Sequence, residues 1–301
     1  MRGASSLVAL AVALGALGSG ATGAVPKPVA IAVGSSPMSL VAGGGSIWVA
    51  NHDDGTVSRI DPGTNRVVAT IRVGGQPWGL AYGAGSLWVG NDEESSVARV
   101  DPATNAVVAH VAAGRRPIAL AFGLGSLWVA DYAAPRLLRI DPAANRVGRR
   151  IALPGAHLDL LAGATGIWVT SEEGDVVRVD PRSGRTTARL RGGSDPTFVA
   201  RCRGALWVTN FRGPLLWQVD APSARIARRI TIGTGAAGVG CARGELWVAQ
   251  YYDSRVLRLA SPPQVTARIA TGSHPTDVVA AFGSVWVASS GDGVVDPFQL
   301  R

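Results

Sequence analysis

A repeat of about 40 residues runs through the chain, and it limits the fold more than any other feature. One tryptophan marks the same place in each copy, at Trp48, Trp88, Trp128, Trp168, Trp207, Trp247 and Trp286. Successive tryptophans lie 40, 40, 40, 39, 40 and 39 residues apart. Unrelated segments do not keep such a register, so the period indicates seven copies of one structural unit.

Each copy carries four short apolar runs separated by turn residues. In the second copy the runs are 78–82, 87–90, 97–100 and 107–111. Four strands in about 40 residues make one blade of a β-propeller, and seven such units close into a ring. The sequence therefore predicts an all-β fold, a seven-bladed β-propeller of four-stranded blades.

The two ends of the repeat region predict how the ring closes. The seventh copy stops soon after Asp296-Pro297 and lacks a fourth strand, while VAIAVGSSP at 29–37 matches VATIRVGGQP at 68–77. We expect the N-terminal strand to complete the last blade, so that residues 25–301 form one propeller domain. Such closure leaves only short outer edges exposed.

The first 24 residues have the features of a secretory signal peptide. Arg2 precedes an apolar run from Leu7 to Leu17, and the small residues Ala21, Gly23 and Ala24 lie near the expected cleavage point. No later segment approaches the roughly 20 apolar residues of a membrane-spanning helix. We expect an exported monomer, extracellular or periplasmic.

Two further patterns concern the framework. An arginine stands two residues before most Asp-Pro turns, as Arg59 does before Asp61, with Gln218 as the exception. Side chains two apart share one face of a strand, which predicts an ion pair. Cys202 and Cys241 occupy the far ends of innermost strands in neighbouring blades, so they form either a disulfide or two buried thiols.

The run from Asn65 to Thr104 resembles the YVTN-type β-propeller repeat and the related repeat of the streptogramin (virginiamycin B) lyases. The resemblance covers the mature chain and implies the propeller fold, which hosts binding proteins, enzymes and assembly platforms. For the lyases it implies a histidine after the proline that starts an innermost strand, a glutamate four residues beyond the tryptophan, and Mg²⁺. The nearest residues here are His157 with Glu172, and His274.

Function is expected where the copies differ, in the loops that open on the central mouth of the ring. The sequence predicts a binding site for a small molecule or a protein, with aromatic contacts from Trp78, Tyr132, Phe211, Tyr251 and Tyr252. Polar contacts are predicted from Asn51, Asn91, Asp131 and Gln250. The alternative for the polar group is local satisfaction of turns, whereas the aromatics break the repeat consensus.

Charge suggests a second kind of partner. The formal charge is +8, and outer-strand arginines concentrate in blades three to five, at Arg146, Arg149, Arg150, Arg182, Arg185, Arg189, Arg191, Arg225, Arg228 and Arg229. This basic arc fits contact with an anionic polymer, but charged outer strands also prevent edge association.

Enzyme motifs are missing, since the chain has no Gly-x-Ser-x-Gly elbow and no His-Glu-x-x-His helix. Acidic turn residues are spread over three blades without the spacing of a calcium loop. We predict no cofactor, except Mg²⁺ under the alternative of a lyase or hydrolase.

Overall fold

The computed structural model describes residues 28–300, which form seven four-stranded antiparallel sheets. Each sheet is one blade, and the blades surround a central axis. This confirms the seven-bladed β-propeller. The signal peptide prediction for residues 1–24 lies outside the described residues. None of the described residues belongs to a helix long and apolar enough to cross a bilayer.

The strands follow the repeat closely. Blade 1 contains β2 (Pro37–Gly43), β3 (Ser46–Asn51), β4 (Thr56–Asp61) and β5 (Arg66–Arg72). Blades 2 and 3 contain β6 (Pro77–Gly83), β7 (Ser86–Asn91), β8 (Ser96–Asp101), β9 (Ala106–Ala112), β10 (Pro117–Gly123), β11 (Ser126–Asp131), β12 (Arg136–Asp141) and β13 (Arg146–Ala152). Blades 4 and 5 contain β14 (His157–Gly163), β15 (Gly166–Ser171), β16 (Asp175–Val179), β17 (Thr186–Leu190), β18 (Pro196–Cys202), β19 (Ala205–Asn210), β20 (Leu215–Asp220) and β21 (Arg225–Thr231). Blade 6 contains β22 (Ala236–Ala242), β23 (Glu245–Gln250), β24 (Arg255–Ala260) and β25 (Gln264–Ala270), with a short 3-10 turn at Tyr251–Asp253.

Blade 7 is built from both ends of the chain. It contains β26 (Pro275–Ala281), β27 (Ser284–Ser289) and β28 (Val294–Gln299), and β1 (Ile31–Ala32) completes it. Strand β1 runs antiparallel to β28, with Ile31 opposite Val295. The predicted closure by the N-terminal strand is therefore confirmed.

The repeated tryptophans form the contacts between blades. Trp88 is fully buried and packs with Leu120, Leu127 and Val129 of the next blade. Its indole N–H donates to Gly83 O at 3.1 Å, so the buried polar atom is satisfied. Burial of such a ring stabilises the folded state by roughly 3 kcal/mol.

The repeated arginines join neighbouring blades. Arg59 Nη1 donates to Pro102 O at 2.6 Å and to Asn105 Oδ1 at 2.8 Å, both in the next blade. The predicted pair with Asp61 is wrong, because the Asp61 carboxylate folds back over its own turn and accepts Gly63 N–H at 2.8 Å. The arginine is thus a bridge between blades and the aspartate is a turn cap.

The junction of blades 5 and 6 is built differently. Gln218 stands where blades 1, 2 and 4 carry an arginine that bridges to the next blade. A disulfide joins Cys202 in β18 to Cys241 in β22, with their Cα atoms 5.4 Å apart. A covalent link between innermost strands therefore connects the two blades at this junction.

Candidate functional site

Loops of two kinds are held together on one face of the ring, which we call the mouth face. In six blades the residue after the second strand donates its N–H to the loop that enters the innermost strand. These bonds are His52 to Ser36, Asp92 to Gln76, Tyr132 to Arg116, Phe211 to Asp195, Tyr251 to Gly235, and Ser290 to His274, at 2.8–3.1 Å. The turns that join the first strand of a blade to the second, and the third to the fourth, lie on the opposite, base face. The mouth loops are therefore fixed by the main chain.

The four polar candidates do not reach the mouth surface. Asn51, Asn91, Asp131 and Gln250 are all 0% exposed. Asn51 Nδ2 donates to hydroxyl groups of its own blade, at 2.9–3.0 Å, and Asn91 Nδ2 donates to Val73 O at 2.7 Å. These side chains end the second strand and point between the loops, which favours the alternative of local satisfaction, and their contact with a ligand stays a prediction.

Asp131 shows the same structural role with a charge. Its carboxylate accepts the main-chain N–H groups of Arg115 and Arg116 at 3.1–3.2 Å. It also forms an ion pair with Arg136 at 2.9 Å. A buried carboxylate with these donors fixes the entering loop. It is fully used by the fold.

Four rings from blades 5, 6 and 7 meet on the mouth face, and we call them the aromatic cluster: Phe211, Tyr251, Tyr252 and His274. The Phe211 ring lies 5.6 Å from Tyr251 and 5.4 Å from Tyr252. His274 stacks on Tyr251 at 4.7 Å. Tyr252 is 63% exposed, so the cluster presents a large aromatic surface to solvent.

The local backbone brings these rings together. The 3-10 turn at Tyr251–Asp253 directs two consecutive tyrosines to different neighbours. Tyr252 lies so close to Gly235 that a Cβ there would be 2.5 Å from the ring, and Gly235 has a φ of +74°. Glycine is required for this approach. Of the sequence candidates, the structure groups Phe211, Tyr251, Tyr252 and His274.

Tyr132 belongs to a separate polar group of the mouth. Its hydroxyl donates to Glu172 Oε2 at 2.9 Å, and burial raises its pKa with help from this acceptor. The Arg116 guanidinium lies 4.8 Å from the Tyr132 ring and pairs with Asp92 at 2.6 Å. The hydrogen bonds that Arg116 donates to the Asp92 carboxylate raise the pKa of Arg116. Glu172 is thus a partner of Tyr132.

Trp78 lies at the central channel. Its ring meets His52 edge to face at 5.1 Å. Together with Phe198 and the innermost strands it lines a cavity of about 160 Å³ on the ring axis. Trp78 therefore closes the inner end of the mouth, away from the aromatic cluster.

Two carboxylates, Asp159 and Asp277, line this channel cavity. Val199 N–H donates to Asp159 at 2.9 Å and Leu40 N–H donates to Asp277 at 2.8 Å. Burial raises the pKa of Asp159 to about 7, partly offset by these main-chain donors, and burial also raises the pKa of Asp277. One side of each group faces the cavity while protein encloses the rest.

Sequence reasoning did not select Asp159, although a signal existed. The equivalent positions in blades 1, 2, 3 and 6 hold the small residues Ser39, Gly79, Ala119 and Gly238. A carboxylate in such a series is unusual because it must be desolvated near the axis. The carboxylate also ties blade 4 to blade 5, through Val199.

The histidine arrangement implied by the lyase resemblance is not assembled. His157 is 0% exposed, and its Nδ1 lies 3.3 Å from Thr170 O, to which it donates. Burial lowers its pKa to about 4. Glu172 is exposed and accepts the Tyr132 hydroxyl, and no three His, Cys, Asp or Glu side chains within residues 28–300 are grouped to hold a metal. The residues do not fit a Mg²⁺ site of that type.

The basic arc is partly engaged in structural contacts. Arg149 donates to Arg182 O and Ser183 O at 2.5 Å, which bridges blades 3 and 4. Arg189 pairs with Asp175. Arg146, Arg150, Arg185 and Arg225 are exposed on the outer strands.

These features define a seven-bladed β-propeller with an aromatic mouth. No family model and no curated protein sequence matches the chain. Among solved structures it is similar to virginiamycin B lyase from Staphylococcus aureus, with 16% identity, a TM-score of 0.75, and 89% of this chain and 96% of that chain covered. It is equally similar to a hydrazine synthase chain of Kuenenia stuttgartiensis, with 16% identity, a TM-score of 0.75, and 93% and 98% covered. At these identities the likeness shows the fold alone.

Proposed function

We propose that the protein is an exported binding module that takes a small molecule or a partner protein at the mouth face. The aromatic cluster is the observation that carries this proposal. A tyrosine that is 63% exposed within a group of four rings leaves apolar surface in water. A partner that covers these rings gains roughly 25 cal/mol for each Å² of apolar area removed from water.

The surroundings of the cluster suit recognition. The rings stand on loops that are fixed by main-chain hydrogen bonds to Asp195 and Gly235, so little order is lost on binding. Asp195 lies beside Phe211 along this bond, and burial raises the pKa of its carboxyl group. An apolar surface with a few fixed polar groups is the usual composition of a ligand site.

The test is a screen of a defined small-molecule library by saturation-transfer NMR. We expect binders whose signal is lost in Tyr252→Ala and weakened in Phe211→Ala. The matched control is Val108→Ala, because Val108 is an apolar residue of the outer strand and is 56% exposed. Binders that respond equally to the control, or that ignore both aromatic variants, would refute the mouth site.

The alternative is a Mg²⁺-assisted lyase or hydrolase of the streptogramin lyase type. The similarity of fold supports it, whereas the burial of His157 argues against it. Incubation with a streptogramin B lactone and Mg²⁺ decides between the two. Ring opening that His274→Ala abolishes would establish the enzyme, and absence of turnover supports the binding module.

Contact of the basic arc with an anionic polymer remains a separate prediction. The exposed arginines of blades 3 to 5 supply the charge. Binding to heparin should weaken steeply with added salt if the arginines displace the cations that are condensed on the sulfate groups. Binding that does not respond to salt would exclude this arc as the contact.

A further inference from the structure

Gln218 interrupts a series of arginines, of which Arg59, Arg99 and Arg178 bridge to the next blade. Arg99 donates to Pro142 O at 2.8 Å and Arg178 donates to Ala221 O at 3.1 Å, in each case across to the next blade. In blade 5 the shorter Gln218 makes no such bond. Its Oε1 atom is buried and accepts no hydrogen bond from the described part of the chain.

A cavity of about 370 Å³ lies at this junction, between blades 5 and 6. Its lining includes Gln218, Trp207, Arg203, Arg228 and the Pro262–Pro263 turn. In the other blades with a bridging arginine, the guanidinium covers the repeat tryptophan, for example at 5.0 Å over Trp88. No arginine within residues 28–300 stacks on the Trp207 ring, which is 6% exposed, against 0% for Trp88. The cavity therefore contains an uncovered edge of an indole.

Two arginines stand at the rim of the cavity. Arg203 and Arg228 are exposed, and neither side chain forms an ion pair or a hydrogen bond with another residue in the described range 28–300. The register places Arg228 opposite Gln218, whereas the equivalent positions in blades 1, 2, 4 and 6 hold Ala69, Ala109, Ala188 and Ala267. Compared with these blades, blade 5 has a neutral Gln218 in place of an arginine in the wall of the cavity, and it has Arg228 in place of an alanine at the rim.

In blade 3 the position equivalent to Arg228 also holds an arginine, Arg149. Arg149 in blade 3 donates to two carbonyl groups of blade 4. Arg228 makes no equivalent bond to blade 6, so its guanidinium is free to bind a solute. Two unpaired guanidinium groups at one opening attract an anion and repel a cation.

We propose that this cavity binds a flat aromatic carboxylate that carries a hydroxyl group. The carboxylate lies between Arg203 and Arg228, because guanidinium groups bind carboxylates with paired hydrogen bonds. The ring contacts Trp207, and the hydroxyl donates to Gln218 Oε1. The volume lies within the usual range of small-molecule sites, about 300–1,000 Å³. This site is on the base face and does not depend on the mouth.

The probe is 6-hydroxy-2-naphthoate, measured by isothermal titration calorimetry with the oxidised protein. Its methyl ester is the uncharged control. We expect the acid to bind and the ester to bind at least about tenfold more weakly, since charge-assisted hydrogen bonds are lost. Arg203→Ala and Arg228→Ala should each weaken the acid about tenfold, while Arg225→Ala, an exposed arginine of the same strand outside the cavity, should not.

Gln218→Arg is the decisive variant. It places an arginine beside the Trp207 ring, as Arg139 lies 5.8 Å from the Trp128 ring in blade 3, and this side chain fills the cavity while both rim arginines stay in place. Blade 3 already carries arginine at both equivalent positions, Arg139 and Arg149, so the variant should fold with an unchanged or higher melting temperature. Loss of binding in this folded variant supports the cavity. Unchanged binding, equal binding of the ester, or no binding to the wild type would overturn the proposal, and sensitivity to Tyr252→Ala would place the probe at the mouth.

Discussion

The disulfide between blades 5 and 6 allows a quantitative prediction. Cys202 and Cys241 are 39 residues apart, and replacing both with alanine frees this loop in the unfolded chain. Closing a loop of that length lowers the entropy of the unfolded chain by about 13 cal/mol/K, or about 4 kcal/mol at 25 °C. We therefore expect the double variant to lose about 4 kcal/mol of unfolding free energy.

The location strengthens this expectation. At the junctions of blades 1 with 2 and 2 with 3, arginine bonds join the blades. Gln218 supplies no such bond at the junction of blades 5 and 6. Removal of the covalent link should therefore not be offset by a bridging arginine.

Equilibrium unfolding in urea and thermal melting measure the effect. For a chain of this size, about 4 kcal/mol corresponds to a drop in melting temperature of about 8 °C. Reductant should move the wild type toward the double variant and should leave the double variant unchanged. Arg99→Gln is the control, because it weakens another junction and should keep the full response to reductant.

Two outcomes would refute this reasoning. One is an equal unfolding free energy for the wild type and the double variant. The other is a wild type whose melting temperature does not change after thiol titration has shown complete reduction. A change in the urea m-value of the double variant would indicate an altered unfolded ensemble. This result would agree with the prediction, because the disulfide is argued to act on the unfolded chain.

Further predictions concern buried groups. Asp159→Asn should raise the melting temperature at pH 8 but not at pH 4. The folded-state pKa of Asp159 is about 7, above the ordinary value near 3.8, so the wild type loses stability as the pH rises from 3.8 to 7. An equal gain in melting temperature at both pH values contradicts this. His157→Gln should reduce the loss of stability that occurs as the pH falls from 6.5 to 4. The folded-state pKa of His157 is about 4, below the ordinary 6.5, so the unfolded chain takes up the proton first. If the unfolding free energy from urea titrations falls with pH as steeply in the variant as in the wild type, the prediction is wrong. Trp88→Ala should cost about 3–5 kcal/mol in urea unfolding, whereas Val108→Ala, at an exposed site, should change stability by less than about 0.5 kcal/mol; similar losses would show that burial does not decide the effect.

The fold could be predicted because the sequence repeats the same pattern of strands, with one tryptophan to be buried, seven times. Each tryptophan needs a neighbouring blade to cover it, as Trp88 needs Leu120 and Val129. The short seventh copy leaves one strand to be supplied by residues near Ile31. The first signal is local in sequence, and the second comes from comparing the two ends of the repeat region.

The site could be predicted only in part. Phe211, Tyr251 and Tyr252 break the repeat, and they meet in one cluster. Asn51 also lies next to a variable loop, but its side chain is directed inward, where its Nδ2 donates to the hydroxyl groups of Thr56 and Ser58. Residue type and position in the repeat do not show whether a side chain points to the mouth surface or to the interior of the blade.

Cross-blade contacts were the least accessible from sequence. Arg59 reaches residues 43 and 46 positions later, so the short-range pairing with Asp61 was the obvious but incorrect expectation. Asp159 likewise acts through Val199, 40 positions away. Such partners become visible only when the ring order of the blades is known.

The completion of blade 7 by strand β1 also determines on which face of the ring the two ends of the described chain lie. Leu300 bonds to Gly283, in a base-face hairpin turn, and Pro28 and Val29 lie beside the base-face turn at Thr64 and Asn65. Both ends of the described chain therefore leave the ring on the side opposite the aromatic cluster. A tag, a fused domain or a solid support joined directly at residue 28 or at residue 300 would start from the base face, on the side away from the aromatic cluster.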